Sequence, residues 1–264
     1  MTLVERPLAG RHAIVTGAAL GVGAAIAGRL AHSGASVSVI ARDEGPIVAR
    51  AKQIADDHGV AAHGIVGEVT DDRDLRRAIR RAIELGGAPA IMVNNAGRPD
   101  HPTRFTDETT ESWQRTLAAN LTGVFAASQE VLPAMTAARF GRIINVVSTA
   151  GLTGYAELAA YGAACHAVVG LTRALARELA TTGVTVNALC PGYVDTGLTA
   201  RTIDNLVKTS GATQAEALAA LLADNPQGRL IQPDELAETA AWLCLPASGS
   251  VTGQAIAIAG GEIL

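Results

Sequence analysis

Cysteine is scarce in this 264-residue chain, and its three copies, Cys165, Cys190 and Cys244, are odd in number and far apart. That excludes a disulfide framework and a zinc site of paired cysteines, so no metal is expected and a reducing cytoplasm is the natural compartment. Charge is thin as well. Only 17% of residues are charged, the formal net charge is −4 and no run of Lys or Arg occurs, so the electrostatic footprint of a nucleic-acid binder is missing. No stretch of about eighteen residues is uniformly apolar, and the opening MTLVERPLAG has no charged-then-apolar signal pattern. These absences lead us to expect a soluble protein with no nucleic-acid and no membrane partner. What is present is apolar material, 48% of the chain, together with 28 glycines. At this length one core can take roughly 70–75% of the unfolded surface out of water, enough to stand without staples.

No Pro/Gly/Ser linker, charge block or internal repeat divides the chain, which reads as a single domain over 1–264. Short β-rich runs alternate with longer Ala-rich helical patterns. The strand candidates are His12–Thr16, Ser36–Ile40, Ala61–Val66, Ala90–Asn94, Arg142–Val147, Val184–Leu189 and Ala255–Ile258. Most are continuous apolar runs, the mark of strands buried on both faces. The helical patterns Gly21–Ser33, Asp71–Leu85, Thr110–Ala138, Leu158–Thr182 and Pro233–Leu245 have the length that parallel crossovers require. The expectation is α/β: a doubly wound Rossmann fold, with about seven parallel strands and helices on both faces. Residues 197–229 break the rhythm, with Ser210-Gly211 and Asn225-Pro226 as breakers. They read either as a lid over a substrate or as a surface excursion.

After the first strand candidate comes Thr16-Gly17-Ala18-Ala19-Leu20-Gly21-Val22-Gly23, followed at once by helix formers. Glycines so placed allow a tight turn, close backbone approach to a pyrophosphate and close helix packing, while the helix N-terminus offers free N–H groups. That placement, rather than the glycines alone, favours dinucleotide binding over a tight strand-to-helix turn with no ligand. The second strand ends Val39-Ile40-Ala41-Arg42-Asp43. An acid there would hold a ribose 2′-OH, and an Arg would accept a 2′-phosphate. Arg42 favours NADP(H) over NAD(H), because a planar guanidinium matches phosphate; the other reading leaves Arg42 solvated and gives the ribose to Asp43.

Further motifs stand in register: Asn94-Asn95-Ala96-Gly97 after the fourth strand, Asn120-Leu121-Thr122-Gly123 in a helix, Ser148 ending the fifth strand, Tyr161 thirteen residues later, and Pro191-Gly192 after the sixth. With these the chain resembles the short-chain dehydrogenase/reductase family over essentially its whole length. The resemblance implies that Tyr161 is the general acid or base at a carbonyl oxygen, that Ser148 hydrogen-bonds this oxygen, that Asn120 holds a water in a proton relay, and that Asn94 to Gly97 steady the sheet edge beside the cofactor. It assigns the cofactor to Gly17, Leu20, Gly21, Val22 and Gly23, to Arg42, Glu68 and Val69, and to Asn95, Ala96, Gly97, Pro191, Gly192 and Thr196. Glu68-Val69 stands where the family often has Asp-Val.

The family's tyrosine is normally followed four residues on by a lysine, and here that position is Cys165. Residues four apart share a helix face. A phenol titrates near pH 10, and lowering it by about three units takes roughly 4 kcal/mol of preference for the phenolate. An ammonium supplies part of this, whereas a neutral thiol supplies none and a thiolate opposes it. His166 points about 100° away around the helix, and Arg173 lies two turns on. Cys165 therefore reads as a loss of function, as tuning through ordered water, or as an introduced substitution.

The stretches Ser148–Gly151, Cys165–Gly170 and Asn225–Arg229 look most like reductases of 3-oxoacyl thioesters, with bacterial 3-hydroxyacyl-CoA dehydrogenases and aromatic polyketide ketoreductases as the nearest subgroups. Two functions stay open: an NAD(P)H-dependent oxidoreductase interconverting a ketone and a secondary alcohol, and a silent nucleotide-binding subunit that lacks the lysine. The resemblance also implies a homo-oligomer, dimer or tetramer, with the Ala-rich Leu158–Ala180 allowing close helix approach.

Overall fold

The computed structural model describes residues 6–95, 97 and 102–263. Seven strands, β1 (His12–Thr16), β2 (Ser36–Ala41), β3 (Ala62–Val66), β4 (Pro89–Asn94), β5 (Gly141–Val146), β6 (Val184–Pro191) and β7 (Ala255–Ile258), form one parallel sheet in the order β3-β2-β1-β4-β5-β6-β7. Strands β1, β4 and β6 are buried along their whole length, as their unbroken apolar runs require, while the edge strands β3 and β7 are largely half-exposed.

Helices cover both faces. On one lie α1 (Gly21–His32), α2 (Glu44–His58) and α9 (Pro233–Cys244), whose Ile26, Leu30, Ile47, Ile54 and Leu243 pack on Val15, Val37, Val39 and Val93. On the other lie α3 (Asp72–Gly86), α5 (Gly123–Ala137) and α6 (Ala159–Glu178), whose Leu75, Ile79, Val131, Met135 and Ala176 meet Ile14, Ile40, Met92 and Ile143. At roughly 25 cal/mol per Å² of apolar surface removed from water, these two layers are the main favourable term in the fold.

The chain winds outward from β1 to β3, then crosses to β4 and winds the other way. Between β1 and β4 two connections leave in opposite directions, which opens a crevice at the carboxyl ends of the strands. Asn95 ties the crevice together: Nδ2 donates to the carbonyls of Thr16 and Gly17 at 3.2 and 3.1 Å, and its N–H donates to Thr16 Oγ1 at 3.1 Å. Asn94 ends β4 at the carboxyl edge of the sheet, and its amide donates to Asn145 Oδ1 of β5 at 2.8 Å. β4 has neighbours on both sides, so Asn94 cross-links the middle of the sheet.

The segment Thr110–Ala138, read as one helix, is three pieces. Between α4 (Thr110–Leu117) and α5, residues Ala118–Thr122 are π-helical. The Asn120 side chain donates to the Thr116 carbonyl at 2.9 Å and so competes for the ladder of the turn before it, a disturbance of the kind that accompanies π-bulges at functional sites. Residues 197–229 contain α7 (Gly197–Ser210) and α8 (Gln214–Leu221). A bridge between Val194 and Ile231 pins the two ends of this excursion together. Among the described residues no helix is long and apolar enough to cross a membrane.

Candidate active site

Two clefts open at the crevice. One, of about 550 Å³, is lined by Gly17, Ala41, Arg42, Asp43, Glu68 and Val69, with Arg115 and Thr116 from α4. The other, of about 410 Å³, runs past Ser148, Tyr161 and Cys165 to Pro191, Gly192, Thr196 and the first turns of α7. Leu20, Asn95, Gly97 and Asn120 line both, so the clefts are halves of one elongated groove.

The first half is shaped for a nucleotide. Gly17 and Gly21 have φ of +64° and +59°, a left-handed backbone that glycine adopts at little cost. A Cβ on Gly23 would stand 2.5 Å from the Gly17 carbonyl oxygen and from Asn95 Nδ2, so the loop lies against α1 only because that position has no side chain. Leu20 makes no side-chain cap to α1, and the first turn carries no acid. The free N–H groups of that turn therefore face the groove with their dipole unneutralised, the arrangement that suits a pyrophosphate. Leu20 itself is 70% exposed. Arg42 follows β2 directly, is mostly exposed, and has its Nε 3.8 Å from a Glu68 carboxylate oxygen. Glu68 is held in turn at its N–H by Asp74 Oδ2, at 2.8 Å. Ala96 lies outside the described residues.

The second half holds the side chains that the resemblance implies for catalysis. Ser148 stands two residues beyond β5 rather than at its end, as the cap of a 3₁₀ turn (Thr149–Gly151), and accepts from the Ala150 N–H at 3.1 Å. This turn packs on α6 and brings the hydroxyl to Tyr161. Ser148, Tyr161 and Cys165 line the same stretch of the cavity wall, with Cys165 one helical turn beyond Tyr161 on α6. The Ser148 hydroxyl favours the phenolate and the Cys165 thiol favours the phenol. Desolvation is the largest influence and, with Cys165 and Cys190 nearby, holds Tyr161 well above the ordinary phenol range.

Cys165 is buried and desolvation pushes its thiol up to about 12; Cys190, at the end of β6, is likewise pushed up by burial, to about 11. Both are inert neutral thiols at neutral pH. His166 is exposed, its Nδ1 2.9 Å from the Gly162 carbonyl oxygen on its own helix.

Asn120 is buried under Gly97, where a Cβ would come 2.7 Å from its Oδ1. Thr196 caps the start of α7, with its Cγ2 3.3 Å from where Gly21 would carry a Cβ, so the glycine loop and α7 touch. Val22 lines the second half beside Thr196, and Pro191 closes β6 opposite Ile258. The structure thus brings Ser148, Tyr161, Asn120 and Cys165 together with the glycine loop. It also adds residues the sequence did not single out: Tyr155, Tyr193 and, from α7, Leu198 and Arg201 line the second half. Leu198 and Arg201 fall in the 197–229 stretch read as a possible lid, and Tyr193 follows Pro191-Gly192, while nothing in the sequence pointed to Tyr155.

Comparison with known proteins agrees with this geometry. A model of the short chain dehydrogenase family matches residues 11–207. The chain is 37% identical to a 3-oxoacyl-acyl-carrier-protein reductase of Vibrio cholerae, over 96% of this chain and 98% of the relative. It is 37% identical to a D-beta-hydroxybutyrate dehydrogenase of Cupriavidus necator, over 93% and 95%. The structure superposes on a variant of actinorhodin polyketide ketoreductase, solved with NADPH, with a TM-score of 0.90 and 38% identity over 96% and 97% of the two chains. The protein belongs to the short-chain dehydrogenase family.

Proposed function

We propose that the protein is an NADPH-dependent ketoreductase acting on 3-oxoacyl thioesters, with Tyr161 as the proton donor. The observation that carries this is the meeting of Ser148 and Tyr161 on one wall of the groove whose other half is built by the glycine loop. Gly17, Gly21 and the first turn of α1 would hold the pyrophosphate, and Arg42 the 2′-phosphate. Glu68, Val69, Asn95, Gly97, Gly192 and Thr196 complete the surface on which the nucleotide lies. Bound there, it supplies the hydride. Ser148 orients the ketone oxygen by donating to it, and Tyr161 gives that oxygen a proton. Asn120 sits where a water could link the groove to solvent. The thioester reading is supported by the apolar lining of the second half, Val147, Leu158, Val168 and Leu198 among it, and by the activities named for the relatives. Residues 197–229 act as its lid. We read the protein as a cytoplasmic homo-oligomer, dimer or tetramer.

A phenol held protonated suits an acid and not a base. The cavity contains the serine, the phenol and the glycine loop in working relation, which favours a slow enzyme over a silent nucleotide-binding subunit. The test is consumption of NADPH with acetoacetyl-CoA by the native protein and by Cys165→Lys, with NADPH affinity titrated for both. An ammonium beside Tyr161 should raise the rate by about 10²-fold, the scale of general acid–base effects, while affinity changes little. Absence of turnover in both proteins, although both bind NADPH, would refute the reading.

A further inference from the structure

A cluster on the wall of the second cavity takes no part in the chemistry above. Tyr155 lines the cavity, and its hydroxyl donates to a Glu262 carboxylate oxygen and lies 2.8 Å from Thr149 Oγ1. A phenol has one proton and a carboxylate only accepts, so Thr149 is the donor in the second bond. The proton of Tyr155 is thereby committed to Glu262 and is not offered to the cavity. Glu262 comes from beyond β7, 107 positions from Tyr155. Its carboxylate also fills the space over Gly192, where a Cβ would stand 2.7 Å from Oε2. Tyr193 feels its charge, which with burial raises that phenol.

Glu262 thus puts a negative charge directly behind the wall formed by Tyr155, Gly192 and Tyr193. Thr149 is the residue after Ser148, so the hydrogen-bonded chain Thr149–Tyr155–Glu262 begins one residue from the hydroxyl that orients the reacting ketone. In a free 3-oxo acid the carboxylate is two bonds from the ketone carbon and would lie against the same wall. In a thioester that position is neutral. Like charges on the two sides of such a half-buried wall repel more strongly than in open water.

Building on the thioester reading, we infer that the charge of Glu262, held behind Tyr155, makes the cavity select ketones with an uncharged neighbouring group and reject free 3-oxo acids. The test compares kcat/KM for acetoacetyl-N-acetylcysteamine, a neutral thioester, with that for acetoacetate in the native protein, Glu262→Gln and Tyr155→Phe. Glutamine keeps an acceptor for Tyr155 and removes the charge. Arg201, the charged side chain in the lining, is the same in all three. The native protein should prefer the thioester, and Glu262→Gln should lower that preference by about tenfold, through the KM for acetoacetate rather than through kcat. Tyr155→Phe, which keeps the charge but frees its carboxylate, should keep the rejection of acetoacetate and raise KM for the thioester. A merely structural role would weaken both substrates alike in Glu262→Gln and leave the preference unmoved, which overturns the inference. If the native protein reduces neither compound, the ketoreductase reading fails, and selection is read instead from calorimetric binding of the same two compounds to the NADPH-loaded protein. A gain of acetoacetate affinity in Glu262→Gln then supports the inference, and equal preference, or no binding of either compound, overturns it.

Discussion

At the scale of single residues, the proposed proton transfer turns on what stands at position 165. With Tyr161 raised by desolvation and by its thiol neighbour, the phenol stays protonated through neutral pH. The sign is plain: ketone reduction needs the phenol and should hold from neutral pH upward until the phenol ionises, above the ordinary tyrosine range. Alcohol oxidation needs the phenolate and should climb with pH over the same span. Rates in both directions between about pH 6 and 10 check this, since an oxidation rate flat across that window would contradict it. Cys165→Lys should move the rise in oxidation to lower pH. Arg42 makes a second expectation. It is exposed and meets Glu68 at 3.8 Å, a pair weakened by solvent, so it remains available to a phosphate. Arg42→Ser should weaken NADPH by about tenfold or more and leave NADH nearly unchanged, measured by equilibrium titration of both. Equal losses for the two nucleotides would mean that Arg42 supports the loop rather than the phosphate.

At the scale of elements, the glycine loop and the turn after β5 were legible because their residues are local. Gly17, Gly21 and Gly23 lie within one strand-to-helix turn, and Ser148 and Tyr161 flank a single turn and the start of α6. The π-helical stretch at Asn120 was not legible, because an unbroken helix-forming sequence conceals a side chain that bonds to the backbone four residues earlier. The Tyr155–Glu262 contact joins residues that no periodicity connects, so only the fold could place it. Edge strand β3, read as 61–66 and found at Ala62–Val66, was legible although its half-exposed residues make no continuous apolar run. The loop itself is testable. Gly23→Ala introduces a Cβ at 2.5 Å from a backbone oxygen, and neither the loop nor α1 can yield without opening the groove. The variant should lose NADPH affinity by about tenfold or more and unfold at lower denaturant, with overpacking of this kind costing about 1–3 kcal/mol. A variant that binds and unfolds like the native protein would show that the loop can shift aside.

At the scale of the molecule, one sheet serves both halves of the groove, so nothing needs to hinge for them to meet. Its outer helices leave Phe125 of α5 47% exposed, and Ala163, Gly170 and Ala174 on one exposed face of α6. Small side chains let helices from two copies approach closely, and an exposed aromatic supplies contact area. Sedimentation should show a dimer or tetramer at micromolar concentration, and Phe125→Arg should shift the mass toward the monomer; a monomeric native protein would refute the assembly. The order of strands also sets how the chain reaches this state. β1 lies between β2 and β4, and Thr16 meets Val93 from 77 positions away, so the centre of the sheet stays unpaired on one side while α1, α2 and α3 are made. During synthesis, β1 therefore waits with an open apolar edge until β4 emerges. The late closing of that edge makes the folding rate, more than the final stability, the quantity that a cooler culture or a chaperone would improve.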